Sequence, residues 1–520
     1  MIAEILEKYW GYSSFRPMQE EIIKSALQGK DTLALMPTGG GKSICFQVPA
    51  MAREGICLVV SPLIALIKDQ VQNLNNKGIK ALAVYSGMSY NQIDITLDNA
   101  IYGEYKFLYV SPERLHTPLF KERVKRMNIN FLVVDEAHCI SQWGYDFRPA
   151  YLEIKEIKAL IGDVPVIALT ATATKSVADD IMHILGFAEK NVISSGFERA
   201  NLSYVVRNVD DKFGNMLKVC NGVPGTGIVY VRERKRCEEI SSFLRQNGIT
   251  ADFYHAGLGK DLRNHKQDAW KKDEIRVMVA TNAFGMGIDK PDVRFVIHYN
   301  IPKSLEGYYQ ETGRAGRDGG EGQCIAFYNN KDLQKLEKFL EGKPLAEQYI
   351  GRQLLHETTA YAESSVCRRK LLLHYFGESY DVENCGNCDN CLTPKKQVEA
   401  KDLLEAVIET VLALKENFKT DYVIDVLLGK ETADIISHNH DELECFGCGD
   451  DEDAKRWNAV IRQALIAGYL DKDVENYGLL KVTKQGHSFL KKPVSFKIVE
   501  DRDFEEEETI VQTSSSFAVD

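Results

Sequence analysis

A glycine-rich stretch at residues 36–43, with the sequence Met-Pro-Thr-Gly-Gly-Gly-Lys-Ser, contains the residue types that bind phosphate. It follows an apolar run and precedes helix-forming sequence. In such a loop the glycine N–H groups approach phosphate oxygens, the lysine reaches the β- and γ-phosphates, and the serine ligates Mg²⁺. Met36 stands where the strict pattern has its first glycine. The stretch predicts that ATP and Mg²⁺ bind at Gly39, Gly41, Lys42 and Ser43.

Two adjacent carboxylates, Asp135 and Glu136, follow the apolar run at residues 131–134. This is a Walker B arrangement, in which Asp135 would hold Mg²⁺ and Glu136 would orient and deprotonate the attacking water. An acidic helix cap is the alternative. The phosphate-binding stretch about ninety residues upstream argues against that alternative. Together, the two motifs predict ATP hydrolysis.

A third motif, Gln-Glu-Thr-Gly-Arg-Ala-Gly-Arg-Asp-Gly, occupies residues 310–319. Two arginines held by a glycine-rich turn are suited to stabilising charge at a γ-phosphate. A surface salt bridge is the alternative for either arginine taken alone. The motif lies too far along the chain to belong to the same sheet as the first two. We therefore predict that Gln310, Arg314 and Arg317 are catalytic and that ATP binds in a cleft between two domains.

The elements that must position these motifs are two series of apolar runs separated by polar, helix-like stretches. Continuous apolar strands spaced by helices are typical of a parallel sheet buried on both faces. We therefore predict two doubly wound α/β domains, joined near residues 197–207. Ligands of such sheets bind at the carboxyl ends of the strands. The first series is 32–35, 56–60, 107–110, 131–134 and 166–169, and the second is 227–231, 251–254, 277–280, 295–299 and 324–328.

The composition excludes several classes of protein. A chain of 520 residues that is 44% hydrophobic and 27% charged is ordinary for a globular protein of three or four domains. No apolar run approaches the roughly 18 residues of a membrane helix. Glu4 and Glu7 stand where an export signal would carry positive charge. We therefore expect a cytoplasmic protein whose twelve cysteines are thiols or metal ligands.

The net charge of −11 is distributed unevenly along the chain. Residues 500–520 contribute −7 and residues 431–453 contribute −9, so the rest of the chain carries +5. Contacts to nucleic-acid phosphates need Lys and Arg. Because the acid is concentrated in two segments, the overall charge does not exclude a nucleic-acid partner.

Four cysteines predict a metal centre: Cys385, Cys388 and Cys391 in two overlapping Cys-x-x-Cys steps, and Cys367 eighteen residues upstream. Four thiolates with short spacing favour a closed, structural Zn²⁺ site, with an iron–sulfur cluster as the alternative. A second group, His438, His440, Cys445 and Cys448, lies in the acidic segment. We interpret it as an acidic loop, with a second metal site as the open alternative.

The C-terminal region predicts a winged-helix domain. Apolar residues recur at helical spacing from Trp457 to Ile466, and residues 469–483 read as two short strands around a turn. Tyr477, at the tip of this hairpin, could act as a wedge at a duplex junction. An ordinary solvated turn is the alternative.

In their order along the chain, the motifs at 36–43, 61–66, 135–138, 169–174, 280–299 and 310–319 resemble those of a superfamily 2 helicase, and more closely a bacterial RecQ DNA helicase. Residues 11–19 are similar to the adenine-recognition motif of that family. The match implies that Tyr12 stacks on the base while Arg16 and Gln19 contact ATP. The cysteine cluster and the Tyr-Phe-Gly-Glu sequence at residues 375–378 carry the narrower resemblance as well. The resemblance implies that the zinc is structural.

Residues 139–149 are similar to the aromatic-rich loop that couples DNA binding to hydrolysis in RecQ proteins. Independently of the family, aromatic rings beside the hydrolytic residues offer stacking faces for unpaired bases. Packing into a core is the alternative for a single ring, above all for Phe147. The residues predicted to couple DNA to hydrolysis are His138, Gln142, Trp143, Tyr145, Phe147 and Arg148.

The resemblance covers roughly residues 5–496 and implies an organisation. We expect RecA-like domains at 1–205 and 206–335, a helical zinc-binding domain at 336–398, a winged-helix domain at 399–497 and an acidic tail or linker at 498–520. RecQ chains often continue into a further small helical DNA-binding domain. We expect either that this chain lacks that domain or that the chain has been cut in the linker before it.

The implied function is ATP-dependent unwinding of DNA with 3′-to-5′ movement, in recombination and repair. The expected partners are single-stranded DNA and duplex junctions, with a single-strand-binding protein as a candidate, and we expect a monomer associated with the nucleoid. A nucleotide-switched DNA-binding or annealing factor is the alternative from another class. An RNA helicase is the nearer alternative, against which the cysteine cluster and aromatic loop argue.

Overall fold

The computed structural model describes residues 1–37, 39–142, 144, 146–285, 290–473 and 478–499. Three predicted site residues, Trp143, Tyr145 and Tyr477, lie outside the described residues, as does the acidic tail from residue 500. The chain divides into two compact units. Unit 1 comprises residues 1–358 and 376–378, and unit 2 comprises residues 359–375 and the described residues from 379 onward.

Unit 1 begins with a parallel sheet of seven strands among the described residues, in the order β3-β4-β2-β5-β6-β1-β7. Every residue of the β2 sequence Ile-Cys-Leu-Val-Val is buried, because helices cover both faces of the sheet. The strands are β1 Thr32–Leu35, β2 Ile56–Val60, β3 Ala81–Val84, β4 Phe107–Val110, β5 Ile129–Asp135, β6 Val166–Thr170 and β7 Val192–Ser194.

The helices of this first sheet domain alternate with its strands, as the doubly wound pattern requires. The carboxyl ends of β1 and β5 lead directly into the glycine-rich loop and the two carboxylates. The helices are α1 Ile2–Trp10, α2 Gln19–Leu27, α3 Lys42–Ala52, α4 Ile64–Asn76, α5 Tyr90–Tyr102, α6 Pro118–Val124, α7 Glu153–Ile161 and α8 Lys175–Ile184.

A second parallel sheet follows in unit 1, with six strands among the described residues in the order β10-β11-β9-β12-β13-β8. Its strands are β8 Leu202–Asn208, β9 Thr226–Tyr230, β10 Ala251–Tyr254, β11 Val277–Ala280, β12 Val293–His298 and β13 Gly322–Tyr328. Its helices are α9 Lys212–Gly222, α10 Arg234–Gln246, α11 Lys260–Lys271 and α12 Leu305–Thr312. Two further helices follow it, α13 Asn330–Leu340 and α14 Leu345–Glu363. Two doubly wound domains are therefore confirmed.

Strand β8 spans the predicted boundary between residues 205 and 206. All seven of its residues pair with β13 in parallel register, from Leu202 opposite Gly322 to Asn208 opposite Tyr328. The strand therefore belongs wholly to the second sheet. Its sequence, Leu-Ser-Tyr-Val-Val-Arg-Asn, mixes buried and half-buried positions and lacks the continuous apolar run that revealed its neighbours.

Unit 2 contains the cysteine cluster and a compact helical domain with two small antiparallel sheets. β14 Gln397–Glu399 pairs with β17 Lys497–Val499, and β15 Leu470–Asp473 pairs with β16 Leu479–Val482. The second pair is the predicted hairpin. The helices are α15 Arg368–Tyr375, α16 Asp389–Leu392, α17 Lys401–Ala413, α18 Thr420–Leu427, α19 Ala433–Ser437, α20 Ala454–Ile466 and α21 Lys484–Lys491.

The core of this C-terminal domain is formed by one apolar face of each long helix. Trp457 and Ile461 of α20 are buried against Val407 and Val411 of α17, together with Leu480 of the hairpin. The indole N–H of Trp457 donates to the carbonyl oxygen of Gly449 at 3.0 Å, so this large side chain is buried with its polar atom paired. Across the described residues, no helix is long and apolar enough to span a bilayer.

Candidate ATP site and zinc centre

The glycine-rich loop connects β1 to α3 and depends on two left-handed glycines. Gly39 has φ +83° and Gly41, at the N-terminal cap of α3, has φ +77°. Met36 continues the strand, because its N–H donates to Thr170 of β6 at 3.0 Å. The loop therefore directs the N-terminus of α3, with Lys42 and Ser43 in its first turn, toward the carboxyl edge of the sheet, where a phosphate would bind.

Gln19 and Arg16 hold this loop from outside. The Gln19 amide is buried and donates to the carbonyl oxygens of Gly40 and Gly41 at 3.3 and 3.1 Å, while Arg16 donates to that of Gly39 at 2.6 Å. Tyr12 is 55% exposed, which leaves its ring accessible for stacking. Arg16 and Gln19, which are predicted to contact ATP, hold the backbone of the loop in this structure.

The two carboxylates at the end of β5 lie in a polar network. The Ser61 hydroxyl donates to Oδ2 of Asp135 at 3.0 Å, and the Tyr151 hydroxyl donates to its carbonyl oxygen at 2.9 Å. Glu136 adopts the left-handed conformation with φ +48°, which is costly for a residue with a side chain and is common at functional sites. Its Oε2 atom is buried without a hydrogen bond, as expected of a group that would accept a proton from substrate water.

Burial and neighbouring charges shift the pKa values of Asp135 and Glu136. Burial, and then the neighbouring charge of Glu136, raises the pKa of Asp135 to about 6. Burial also opposes ionisation of Glu136, but basic side chains around it outweigh burial and lower its pKa. These side chains are Lys42, His138, Arg314 and Arg148. Glu136 is therefore held as the carboxylate, the form that a general base needs.

The motif at 169–174 contacts the end of this network. Nδ1 of His138 is hydrogen-bonded to the Thr170 hydroxyl at 2.8 Å, and the N–H of Thr172 donates to the same hydroxyl at 3.2 Å. Burial lowers the pKa of His138. Nδ1 of His138 also lies 3.5 Å from Oε2 of Glu136, so the predicted coupling residue His138 links Glu136 to the end of β6.

The arginine motif of the second sheet reaches the glycine-rich loop of the first. A Cβ added to Gly39 would lie 2.9 Å from Cδ of Arg317. Arg314 is buried, and its charge is among those that lower the pKa of Glu136. Gln310 is buried on α12, immediately before the arginine loop. The structure thus brings the three motifs together.

The arginine loop is supported by two residues that the sequence reading missed. Arg199 donates to the carbonyl oxygens of Gly313, Ala315 and Gly316 at 2.9–3.3 Å. Asn201 donates to those of Gly316 and Gly320 at 2.9 and 2.7 Å. Their partners are backbone atoms more than a hundred residues away, so no local pattern reveals them.

The loop at residues 139–149 is anchored by Arg148. Its guanidinium donates to Oδ2 of Asp146 at 3.0 Å and to the carbonyl oxygen of Pro62 at 3.2 Å. Pro62 follows Ser61, the residue that donates to Asp135, so residues 61–62 connect this loop to the Asp135 carboxylate. Gln142 is exposed and Phe147 is half-buried.

The four predicted metal ligands of unit 2 converge. The sulfur atoms of Cys367, Cys385, Cys388 and Cys391 all lie within 4.8 Å of one another, as a tetrahedral zinc site requires. Burial raises the pKa of Cys391 to about 11, so binding of Zn²⁺ would displace a proton there. The residues present fit a structural Zn²⁺ that would hold this segment together.

Arg368 organises the same segment. It is fully buried, pairs with Asp389 at 3.0 Å and donates to the carbonyl oxygens of Tyr361 and Ala362. Its backbone N–H donates to the Cys388 sulfur at 3.4 Å. A guanidinium enclosed in this way is not accessible from the surface of the protein.

Four family models match successive parts of the chain. They are DEAD/DEAH box helicase at residues 16–181, Helicase conserved C-terminal domain at 211–319, RecQ zinc-binding at 330–392 and RQC domain at 394–507. The ATP-dependent DNA helicase RecQ of Pasteurella multocida is 40% identical over 494 residues, 94% of this chain and 78% of that protein. The chain belongs to the RecQ family of ATP-dependent DNA helicases. The RecQ helicase of Bacillus subtilis is 36% identical over 94% of this chain and 84% of its own length.

A solved structure of Saccharomyces cerevisiae Dbp5 bound to RNA and ADP BeF3 shares the fold of this RecQ helicase. The TM-score is 0.52 at 19% identity, over 68% of this chain and 97% of that chain. The predicted fold class is confirmed: two RecA-like sheets, a zinc-binding module and a winged-helix domain. ATP and zinc are the cofactors that these matches and the four-cysteine cluster support.

The second histidine and cysteine group of the helicase has another arrangement. His438 and His440 stack on each other with ring centres 5.4 Å apart. Nδ1 of His438 is hydrogen-bonded to the Asp434 carbonyl and Nδ1 of His440 to the Tyr422 hydroxyl, each at 2.7 Å. Within the described ranges, the groups of possible metal ligands include neither histidine. The interpretation of this segment as an acidic loop therefore accounts for the contacts of the two histidine rings.

Replacing Gly41 by alanine should lower kcat/KM for ATP at least about tenfold, because Cβ would lie 2.4 Å from Nε2 of Gln19 and disturb the loop. Gly78→Ala is the matched control. Gly78 has φ +76°, nearly that of Gly41, but its Cβ would meet no atom within 4 Å. Steady-state ATP hydrolysis by both variants measures the difference. Equal losses would show that backbone strain alone, and not the Gln19 contact, matters.

Elemental analysis should find about one zinc per chain, because the four thiols form one closed site. Cys388→Ser should lose that zinc and Cys448→Ser should keep it. Two zinc ions per chain, one of them lost with Cys448→Ser, would instead establish a second metal site at the His438 group.

Proposed function

We propose that the chain hydrolyses ATP in the cleft between its two RecA-like sheets, and thereby moves 3′-to-5′ along single-stranded DNA and unwinds duplexes. The observation that carries this proposal is the position of Arg317 beside Gly39, together with the charge of Arg314 acting on Glu136. A site built from both sheets can be closed by ATP and released by hydrolysis. The RecQ relatives support DNA as the polymer that is moved.

Each site residue has a proposed role. Lys42, Ser43 and the N–H groups near Gly39 and Gly41 would bind the phosphates, and Tyr12 would stack on the base. Mg²⁺, held by Ser43 and Asp135, would supply charge neutralisation at the β- and γ-phosphates. Glu136 would accept the proton of the attacking water. Arg314 and Arg317 would stabilise charge on the transferring phosphoryl group, with Gln310 beside them.

DNA would be sensed through the loop at 139–149. Bases stacked on Trp143, Tyr145 or Phe147 would displace the loop, and Arg148 would transmit the displacement to Pro62 and so to Ser61 and Asp135. His138 and Gln142 complete the proposed coupling group. Tyr477 is the proposed wedge at the tip of the winged-helix hairpin.

The proposal also includes the domain boundaries, the oligomeric state, the location and a protein partner. We propose domain boundaries at 1–201, 202–335, 336–398 and 399–497, the first adjusted because β8 starts at Leu202. The chain would act as a monomer in recombination and repair. It would lie in the cytoplasm, associated with the nucleoid, and a single-strand-binding protein is a candidate partner.

Lys42→Ala and Glu136→Gln should each reduce DNA-stimulated ATP turnover by at least about 10³-fold, since one removes phosphate binding and the other the base. Binding to a fluorescent DNA strand without nucleotide should stay within a few-fold of that of the native protein. Turnover at the native rate in either variant would contradict the site assignment.

Arg148→Ala should lower the stimulation of ATPase by single-stranded DNA more than it lowers the basal rate, because it removes the contacts to Asp146 and Pro62. Trp143→Ala tests the base-stacking half of the same proposal and should act alike. Arg126→Ala, an exposed arginine of the same sheet domain, should change neither rate. An equal fall of basal and stimulated rates would show a structural role.

Unwinding assays on a 3′-tailed duplex, a 5′-tailed duplex and an RNA duplex test the substrate and polarity together. Strand separation should require ATP and the 3′ tail. ATP-dependent DNA binding without strand separation would favour the nucleotide-switched binding factor, and preferential unwinding of the RNA duplex would favour an RNA helicase.

A further inference from the structure

The segment at residues 195–201, here called the linker, connects the last strand of the first sheet to the first strand of the second. Its conformation depends on Gly196, which has φ +79°. A Cβ on Gly196 would lie 3.2 Å from Oε1 of Glu378, so the linker passes directly beside that carboxylate. Glu378 belongs to the Tyr-Phe-Gly-Glu sequence at 375–378, to which the ATPase cycle proposed above gives no role.

Phe376 and Glu378 fasten the linker at Phe197. Both carboxylate oxygens of Glu378 accept the Phe197 N–H, at 2.9 and 3.0 Å. The Phe376 ring stacks on the Phe197 ring with centroids 4.4 Å apart and an interplanar angle of 11°. Residues 376–378 cluster with unit 1, although the residues on both sides of them belong to unit 2. A charge-assisted bond and a buried ring stack are stronger than an ordinary loop contact.

Tyr309 joins this fastening to helix α12. Its hydroxyl donates to the Phe197 carbonyl at 2.8 Å, and its ring packs edge-on against Phe197 and Phe376 with centroids 5.8 and 5.0 Å apart. Burial raises the pKa of Tyr309, so the hydroxyl keeps the proton that it donates. Tyr309 immediately precedes Gln310, the first residue of the arginine motif.

The other end of the linker holds the arginine loop itself. Arg199 and Asn201 together donate to four carbonyl oxygens of that loop, on Gly313, Ala315, Gly316 and Gly320. These carbonyls flank Arg314 and Arg317 on both sides. The backbone that sets the two guanidinium positions is thus bonded to the linker and not to its own sheet alone.

We propose that Glu378 and Phe376 are positioning residues for ATP hydrolysis. They fix the linker at Phe197, and the linker, through Tyr309, Arg199 and Asn201, fixes the loop that carries Arg314 and Arg317. The proposal rests on the role assigned above to the two arginines. A displacement of about 1 Å in catalytic groups can cost as much as 10²-fold in rate, so a contact this far from the phosphates can control turnover.

The test uses Glu378→Gln and Arg199→Lys in the full-length chain. Glu378→Gln replaces one acceptor oxygen with an amide, and Arg199→Lys keeps the charge but removes the fork that bonds several carbonyls. Each should lower kcat for ATP about tenfold at saturating single-stranded DNA and leave KM for ATP within about twofold. Glu383→Gln, a change at an exposed glutamate five residues along the chain, should leave both parameters unchanged.

Combination with Arg317→Ala separates positioning from a general structural role. If Glu378 acts through the arginines, Glu378→Gln should cause almost no further loss of kcat in an Arg317→Ala background. An equal fold loss in both backgrounds, or native kcat in both Glu378→Gln and Arg199→Lys, would overturn the inference. Native turnover by Arg317→Ala would instead overturn the proposed role of the arginine.

Thermal unfolding of each variant gives the folding control. If Glu378→Gln is not folded at the assay temperature, Arg199→Lys alone decides. That substitution lies at the other end of the linker, and its expected outcome and the outcome that overturns the inference are the same.

Discussion

The half-buried carboxylate of Asp135 and the buried carboxylate of Glu136 require cations beside them, and the cations come from separate parts of unit 1. Taking a carboxylate out of water costs several kcal/mol, and two adjacent carboxylates repel each other as well. Lys42 from the glycine-rich loop and Arg314 from the second sheet both lower the pKa of Glu136. The second sheet domain therefore contributes to the electrostatics of the carboxylates of the first. In the proposed mechanism, this contribution would make domain closure a condition of catalysis.

Because the carboxylates need cations beside them, the elements that carry these charges must be held in place, and side chains around the site do this. The glycine-rich loop is bonded to Gln19, Asp135 to Ser61, and the arginine loop to Arg199 and Asn201. Each support is a side chain that donates to a carbonyl or a carboxylate of a neighbouring element. In the proposed coupling, DNA bound at the loop 139–149 would alter ATP hydrolysis by moving one of these supports.

Much of this arrangement could be predicted from the sequence, because strands buried on both faces leave continuous apolar runs and their carboxyl ends carry the motifs. β2, β4 and β11 follow the predicted runs residue for residue. β7 and β8 were missed because polar residues such as Ser194, Ser203 and Arg207 interrupt their apolar runs. β3 was missed although all four of its residues are apolar. The four cysteines were found because metal ligands keep short, regular spacing.

The supports could not be predicted in the same way. Gln19 was predicted to contact ATP, and its hydrogen bonds to the backbone of the glycine-rich loop were not predicted. Arg199 and Asn201 carry no local signature, since a side chain that bonds a distant backbone atom can stand in almost any sequence. Glu378 lies in the Tyr-Phe-Gly-Glu sequence that carries the resemblance, but that sequence does not indicate which distant backbone atom Glu378 bonds. The motifs of the sequence indicate the chemistry of the site, whereas the contacts that hold these motifs in place depend on tertiary structure.

In the proposed mechanism, arginines from the second sheet domain complete a hydrolytic site on the first. The most direct measurement compares ATP turnover with binding of a fluorescent, non-hydrolysable ATP analogue, for Arg314→Ala and Arg317→Ala at saturating single-stranded DNA. We expect turnover to fall by about 10²- to 10³-fold or more in each variant while analogue binding changes only a few-fold. Native turnover in both variants, or a loss confined to nucleotide binding, would contradict it.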